Sequence, residues 1–254
     1  MAALQSDEHL EPLGKNMQIV VSKAHIFSTD AILLAHFSDI RKNDKACDMG
    51  TGCGIIPMLW CKKPSGPITA IDIQQKACEQ LKKSLELNGL TDRMTVLGAD
   101  IRELKGKVEF GSYDLVTMNP PYKPLGTGIE SETESDKIAR HETMCSIDDA
   151  VRAAAKLLRF GGRFCMCHRP ERLCDIVCAM REAKLEVKRI RFVVQHENKA
   201  PWLVLVEGKR GAKSFVTVEK NLVLKNADNS DTDEMIEIFG DYREGIPEKT
   251  EKKQ

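Results

Sequence analysis

The middle of the chain alternates short apolar runs with longer amphipathic stretches. Residues 46–48, 68–73, 94–97, 113–118 and 163–167 are brief and rich in valine, isoleucine and other apolar residues, the pattern of buried strands. Between them the apolar spacing lengthens to that of a helix. In 74–88, Ala77, Leu81, Leu85 and Leu87 are spaced for one face, and Asn88-Gly89 supplies a stop. Residues 146–158 open with Ser146 and Asp149 three positions on, a capping-box pattern, and end before Gly161-Gly162. Residues 170–185 begin with proline, which suits a first helical turn. This alternation predicts a parallel sheet covered by helices on both faces. Segments 187–195 and 201–207 are joined by five residues, too few for a crossover, so they are predicted to pair antiparallel. The fold class is thus α/β, a mostly parallel open sheet closed by one antiparallel strand.

Toward the ends the pattern predicts a hairpin from 17–21 and 23–27 and a helix running from Ser28 to Phe37. It also predicts a helix at 55–63, one more strand at 214–224 and a short helix at 233–242. Residues 1–213 read as one domain with an N-terminal hairpin and helix. Residues 214–254 read as an extension whose polar last dozen residues fray.

Composition narrows the class. A chain of 254 residues can bury a full core without disulfides or metal. The longest apolar run covers residues 55–61, far short of the ~20 residues a membrane span needs. The first residues lack an apolar stretch behind a basic start, so a secretory signal is not expected and the location is read as cytoplasmic. Nine cysteines in such a chain are expected to be reduced and mostly buried. Cys165 and Cys167 share a strand face and Cys174 and Cys178 lie one helical turn apart, unlike the turn-borne spacing of a structural zinc site. No metal is expected.

The formal net charge of zero hides an uneven distribution. Residues 1–150 carry 17 basic and 22 acidic side chains, 151–213 carry 15 and 6, and 214–254 carry 6 and 10, giving −5, +9 and −4. The basic block contains Lys184, Lys188, Arg189, Arg191, Lys199, Lys209, Arg210 and Lys213. It suits either a phosphate-binding surface or a solvated face.

Candidate chemistry gathers at strand ends. Asp48-Met49-Gly50-Thr51-Gly52-Cys53-Gly54 follows a strand and precedes a helix, where glycines permit a tight turn and let a ligand approach the backbone. Asp72 ends the next strand beside Ile73, and a carboxylate there can accept from both ribose hydroxyls of a nucleoside. Asp100 ends the third, either accepting an adenine amine with Ile101 against the ring or capping a helix. Asn119-Pro120-Pro121-Tyr122 leaves the fourth. Neither proline donates a main-chain hydrogen bond, so the Asn119 side-chain oxygen and the Pro120 carbonyl can converge as two acceptors beside the Tyr122 ring. That set suits a planar amine. The glycine spacing G-x-G-x-G differs from the dinucleotide G-x-G-x-x-G, which disfavours NAD.

Together these motifs resemble the class I S-adenosylmethionine-dependent methyltransferases that act on amines, and within them the valine tRNA adenine-N6-methyltransferase family. The resemblance runs from Leu13-Gly14 through Phe27-Ser28-Thr29-Asp30, the glycine loop and the Asn-Pro-Pro-Tyr motif. It continues through Ala139-Arg140-His141-Glu142, Gly161-Gly162-Arg163-Phe164 and His168-Arg169-Pro170-Glu171-Arg172-Leu173 to Leu205-Val206-Glu207-Gly208. It implies a Rossmann-like sheet of seven strands, S-adenosylmethionine as methyl donor, and methylation of the anticodon-loop adenine 3′ of the anticodon. The donor would then be held by Asp48, Gly50, Gly52, Gly54, Asp72, Ile73, Asp100, Ile101 and Asn119. Asn119, Pro120, Pro121 and Tyr122 would carry catalysis, and Tyr122, Arg189, Arg191, Lys209 and Arg210 would meet the RNA. A glutamine side chain in a protein is the rival substrate, a non-catalytic RNA-binding module the rival class. His141 and His168 are read as either structural or substrate-facing, and the acidic run 130–136 as a loop that gives way to RNA.

Overall fold

The computed structural model describes residues 4–120, 145–240 and Tyr242. The chain opens with an antiparallel hairpin of β1 (Glu8–Pro12) and β2 (Gln18–Ser22). This differs from the expected hairpin. At Ser22 and His25 the backbone closes a turn through reciprocal N–H···O bonds of 3.1 Å, so residues 23–27 do not extend as a strand. The partner strand lies upstream, in a polar segment with little apolar signal. The hairpin buries Ile19 and Val21. It also docks on α3 (Gln75–Leu87) through side chains that meet open backbone groups. Ser84 accepts from the Val20 N–H at 2.9 Å, and Gln80 donates to the Val20 and His25 carbonyls at 2.8 and 3.0 Å.

Helix α1 (Thr29–Phe37) follows, and then the core alternation appears as expected. Its strands are β3 (Ala46–Met49), β4 (Ile68–Asp72), β5 (Met94–Gly98), β6 (Tyr113–Met118) and β7 (Leu158–His168). The intervening helices are α2 (Ile55–Trp60), α3 and α4 (Ile147–Leu157). Ser146 and Asp149 form the expected capping box at the start of α4. That helix ends without help from glycine. Leu158 turns directly into β7, which starts five residues earlier than its sequence pattern shows, and Gly161-Gly162 lie inside the strand. A Cβ on Gly162 would sit 2.8 Å from the Tyr113 carbonyl oxygen, so the pair serves close strand approach rather than helix termination. The segment begun by Pro170 is one 3-10 turn, Pro170–Arg172, leading into α5 (Leu173–Glu182).

The strand order β5-β4-β3-β6-β7-β9-β8 contains the seven expected strands, with β8 (Leu185–Val194) and β9 (Leu203–Arg210). Strand β9 is antiparallel to both neighbours, as expected of the single reversed strand. Two short strands widen the sheet to nine: β10 (Thr217–Val218) and β11 (Leu222–Val223), both parallel to β8. Period-two alternation sends Leu115, Cys165, Cys167 and Leu205 to one face, under α1, α2, α3 and α6 (Asp233–Phe239). Val116, Phe164, Met166 and Val206 go to the other, under α4 and α5. The order reverses direction between β3 and β6. Open α/β sheets bind ligands at the carboxyl ends of the strands at such a point.

Candidate active site

Register brings the two sharpest motifs together. Met49 pairs with Met118 across β3 and β6, so Gly50 and Asn119, the next residue of each, leave the sheet side by side. Adjacent strands lie ~4.8 Å apart, which is the scale of that separation. All three loop glycines have positive φ: +65° at Gly50, +54° at Gly52 and +86° at Gly54. They divide the work. A Cβ on Gly54 would lie 2.3 Å from Leu81 Cδ1, so this glycine lets α2 pack against α3. A Cβ on Gly52 would meet nothing within 4 Å, so this part of the loop presents bare backbone to open space.

Two buried carboxyl groups hold the loop. Asp72 accepts the Gly52 N–H at 2.8 Å on one oxygen and the Gln74 N–H at 2.9 Å on the other. Each carboxylate oxygen has two acceptor sites, so capacity remains for a ligand's hydroxyls. Ile73, beside it, is exposed at the same edge. Asp48 is fully enclosed and accepts from the Thr117 hydroxyl at 2.6 Å. Burial pushes its carboxyl up to about 7, helped by the charge of Asp72 and opposed by the Thr117 hydrogen bond. Asp100 lies at the end of β5 and is spent differently. It caps the 3-10 turn Ile101–Glu103 through the Arg102 N–H at 2.8 Å and pairs with the Arg102 guanidinium, which holds its carboxyl below the usual range. Ile101 is buried against the sheet.

Asn119 is half-buried. Its side-chain oxygen accepts a hydrogen bond at 3.1 Å from the thiol of Cys167, which sits fully buried on the neighbouring strand β7. Sequence reasoning missed both Cys167 and Thr117. Each stands on a strand at the level of a motif residue, and only the register reveals it. Pro120 is buried. Pro121, Tyr122, the acidic run 130–136 and His141 lie outside the described residues. His168 ends β7 at this same edge. Its Nδ1 accepts the Arg169 N–H at 2.8 Å, and burial, with Arg172 and Arg169 adding to it, lowers its pKa.

The basic block is not one surface. Arg189 stacks 4.1 Å from the Phe37 ring centroid, donates to the Phe37 carbonyl and pairs with Glu219 at 3.4 Å and Glu207 at 3.5 Å. Arg191 is held by Glu234 at 2.6 Å and by the Lys220 carbonyl at 3.0 Å. Arg210 donates to the Leu158 carbonyl. Of the four cations expected to meet RNA, Lys209 alone is exposed, and it pairs in register with Arg163, midway along β7 and five residues before His168. Cys165 and Cys167 are buried while Cys174 and Cys178 are exposed on α5. Among the described residues no helix is long and apolar enough to cross a membrane.

Donor chemistry fits these residues. An open backbone cradle at Gly52, a carboxylate with acceptor sites to spare and an exposed isoleucine beside it suit a nucleoside such as that of S-adenosylmethionine. Comparison with known proteins agrees. The Methyltransferase small domain family model matches residues 15–177. Curated relatives include proteins named tRNA1(Val) (adenine(37)-N6)-methyltransferase. The one from Tolumonas auensis is 26% identical over 84% of this chain and 88% of its own length. The one from Parabacteroides distasonis is 26% identical over 70% and 74%. Among solved structures, a predicted O-methyltransferase from Agrobacterium tumefaciens superposes with a TM-score of 0.68 at 20% identity, covering 84% of this chain and 96% of that one.

Proposed function

Because the chain belongs to the methyltransferase small domain family and uses S-adenosylmethionine, we propose that it methylates the exocyclic N6 amine of an adenine in tRNA. The proposed target is the anticodon-loop adenine 3′ of the anticodon of a valine tRNA, the substrate in the curated relatives' name. The cytoplasm is the corresponding location. The observation that carries this reading is the placement of Asn119 beside the glycine loop, its side-chain oxygen oriented by Cys167.

The bound donor supplies an activated methyl on a sulfonium centre. The chain's part is to prepare the amine. An adenine N6 lone pair is delocalised into the ring and attacks poorly. Asn119 Oδ1 and the Pro120 carbonyl are proposed to take the two amine hydrogens. This favours a pyramidal nitrogen and positions the lone pair for in-line attack. The same acceptors stabilise the positive charge that grows on nitrogen. The methylated amine is then strongly acidic and loses its proton without a dedicated base. Tyr122 is proposed to stack on the extruded base and offset its unstacking. Asp48, Asp72, Ile73 and the three glycines are proposed to hold the donor.

The test uses purified protein, labelled donor and tRNA, with nucleosides resolved by mass spectrometry. N6-methyladenosine is expected from the wild type. Asn119→Ala is expected to lose ~100-fold or more in turnover with donor affinity nearly unchanged, the scale of one transition-state electrostatic contact. Label appearing on a protein glutamine instead would overturn the substrate assignment.

A further inference from the structure

The end of the sheet opposite the site carries a second surface that the reaction does not use. Phe160 and Phe215 are each 77% exposed, more than any other large hydrophobic among the described residues. Single exposed apolar residues are ordinary, but these two lie at the same end of the sheet. The Phe160 ring lies against Gly211, where a Cβ would sit 2.1 Å from it, and Phe215 follows Gly211 by four residues, a reach of ~14 Å at most. Phe215 also has a φ of +144°, a conformation that costs a bulky residue energy. Lys188 holds it there, donating to the Phe215 carbonyl at 2.5 Å and to the Lys213 carbonyl at 3.1 Å, with its ammonium 5.8 Å from the Phe215 ring centroid.

Lys184, Lys209 and Lys213 stand at the same end of the sheet, all exposed, and none has an ion-pair or hydrogen-bond partner for its side chain among the described residues. They differ from the arginines of the same block, whose guanidinium groups are engaged by Glu207, Glu219, Glu234 and main-chain carbonyls. Free ammonium groups beside open aromatic faces match a polyanion with stackable bases. A second copy of this chain would bring the same positive charge and be repelled. We propose that this end of the sheet is a docking surface for RNA, with Phe160 and Phe215 stacking on bases and Lys184, Lys209 and Lys213 meeting phosphates. The inference rests on the reading that RNA is the substrate and extends it to where the rest of that molecule is held.

Distance sets the kind of RNA. Eight strand residues separate Phe160 from His168, or ~26 Å at ~3.3 Å per residue. An RNA that reaches both ends must span that length, about eight base steps at ~3.4 Å each. A folded tRNA spans it in helical form, whereas a seven-nucleotide anticodon loop reaches it only by giving up its own stacking.

The experiment measures affinity for full-length tRNA and for a seven-nucleotide anticodon-loop oligonucleotide at several salt concentrations. It compares the wild type with Phe160→Ala/Phe215→Ala and with Lys209→Ala/Lys213→Ala. These side chains are exposed, and circular dichroism with thermal unfolding checks that each variant folds. The aromatic pair is expected to weaken tRNA binding at least ~30-fold, from the usual worth of two stacked bases. The lysine pair is expected to flatten the log-affinity against log-salt slope by about 1.8, at ~0.9 per lost phosphate contact. Oligonucleotide affinity, donor affinity and turnover at saturating tRNA should stay within twofold. Unchanged tRNA binding in both variants, while the wild type still methylates tRNA, overturns the docking surface alone. A wild type that sediments as a dimer and a Phe160→Ala/Phe215→Ala variant that sediments as a monomer would assign the patch to self-association and overturn it also. If the wild type neither binds nor methylates any RNA, the substrate reading fails and takes this inference with it.

Discussion

Two sets of buried polar residues lie in this sheet, and they differ in what they have left to offer. At the carboxyl ends of β4 and β6, Asp72 and Asn119 each accept hydrogen bonds that fix their geometry, and the Asp72 carboxylate has acceptor sites to spare. On β7, Arg163 is as buried as Asp72, yet it is spent entirely on the protein. Its guanidinium donates to the Ser38 and Asp39 carbonyls at 2.8 and 3.1 Å and pairs with Asp44 at 3.2 Å and Glu207 at 3.3 Å. That cluster ties the end of α1 to the sheet. Burial and hydrogen bonding therefore do not mark a functional residue. What sets Asp72 apart is acceptor capacity left over at the ligand edge.

Four substitutions sharpen the contrast, beginning with the largest effect. Arg163→Met removes the counter-charge of buried Glu207 and half-buried Asp44, and breaking a buried pair costs ~3–5 kcal/mol. Urea unfolding should register that loss while turnover per folded molecule stays within twofold. A drop in turnover without a drop in stability would move Arg163 into the working set.

Asp48 supplies the next test through pH. Its folded-state carboxyl is raised to about 7 from the ordinary 3.8, so the native state holds the proton more tightly than the unfolded chain. Stability should then fall as pH rises from about 4 to about 7 and level off above, by roughly 4 kcal/mol at most. Denaturation of Asp48→Asn across that window should give a flatter profile, and a profile parallel to the wild type would refute the assignment.

Asp72→Ala removes a charged acceptor from the loop. Donor affinity measured by calorimetry should fall by about 1.5–3 kcal/mol, the scale for hydrogen bonds to a charged group. Cys167→Ala is the mildest. Losing one thiol hydrogen bond of about 1 kcal/mol should slow turnover roughly fivefold through looser placement of Asn119. Cys167→Ser should recover most of it, and donor affinity should not move in either variant.

Much of the fold was legible in the chain itself. Strands β3 to β9 and their helices follow from local periodicity, because a sheet buried on both faces requires continuous apolar runs and its covering helices require one apolar stripe. The glycine loop, Asp72 and Asn119 were legible for a related reason. A turn with three positive φ angles admits little but glycine, and a motif ends where its strand ends. Strand β1 was hidden, since a hairpin that docks by Ser84, Gln80 and Asn88 side chains needs few apolar residues of its own. The cations were misjudged for a deeper reason. Charge counted along a sequence cannot separate Arg189, closed in by Phe37, Glu207 and Glu219, from Lys209, open to solvent on the adjoining strand. Nor can it join Cys167 to Asn119, 48 positions apart. Local pattern determines which residues form strands and turns, because those preferences act over a few neighbours. Which side chains meet across the sheet depends on strand order and register, and only the assembled tertiary structure decides that.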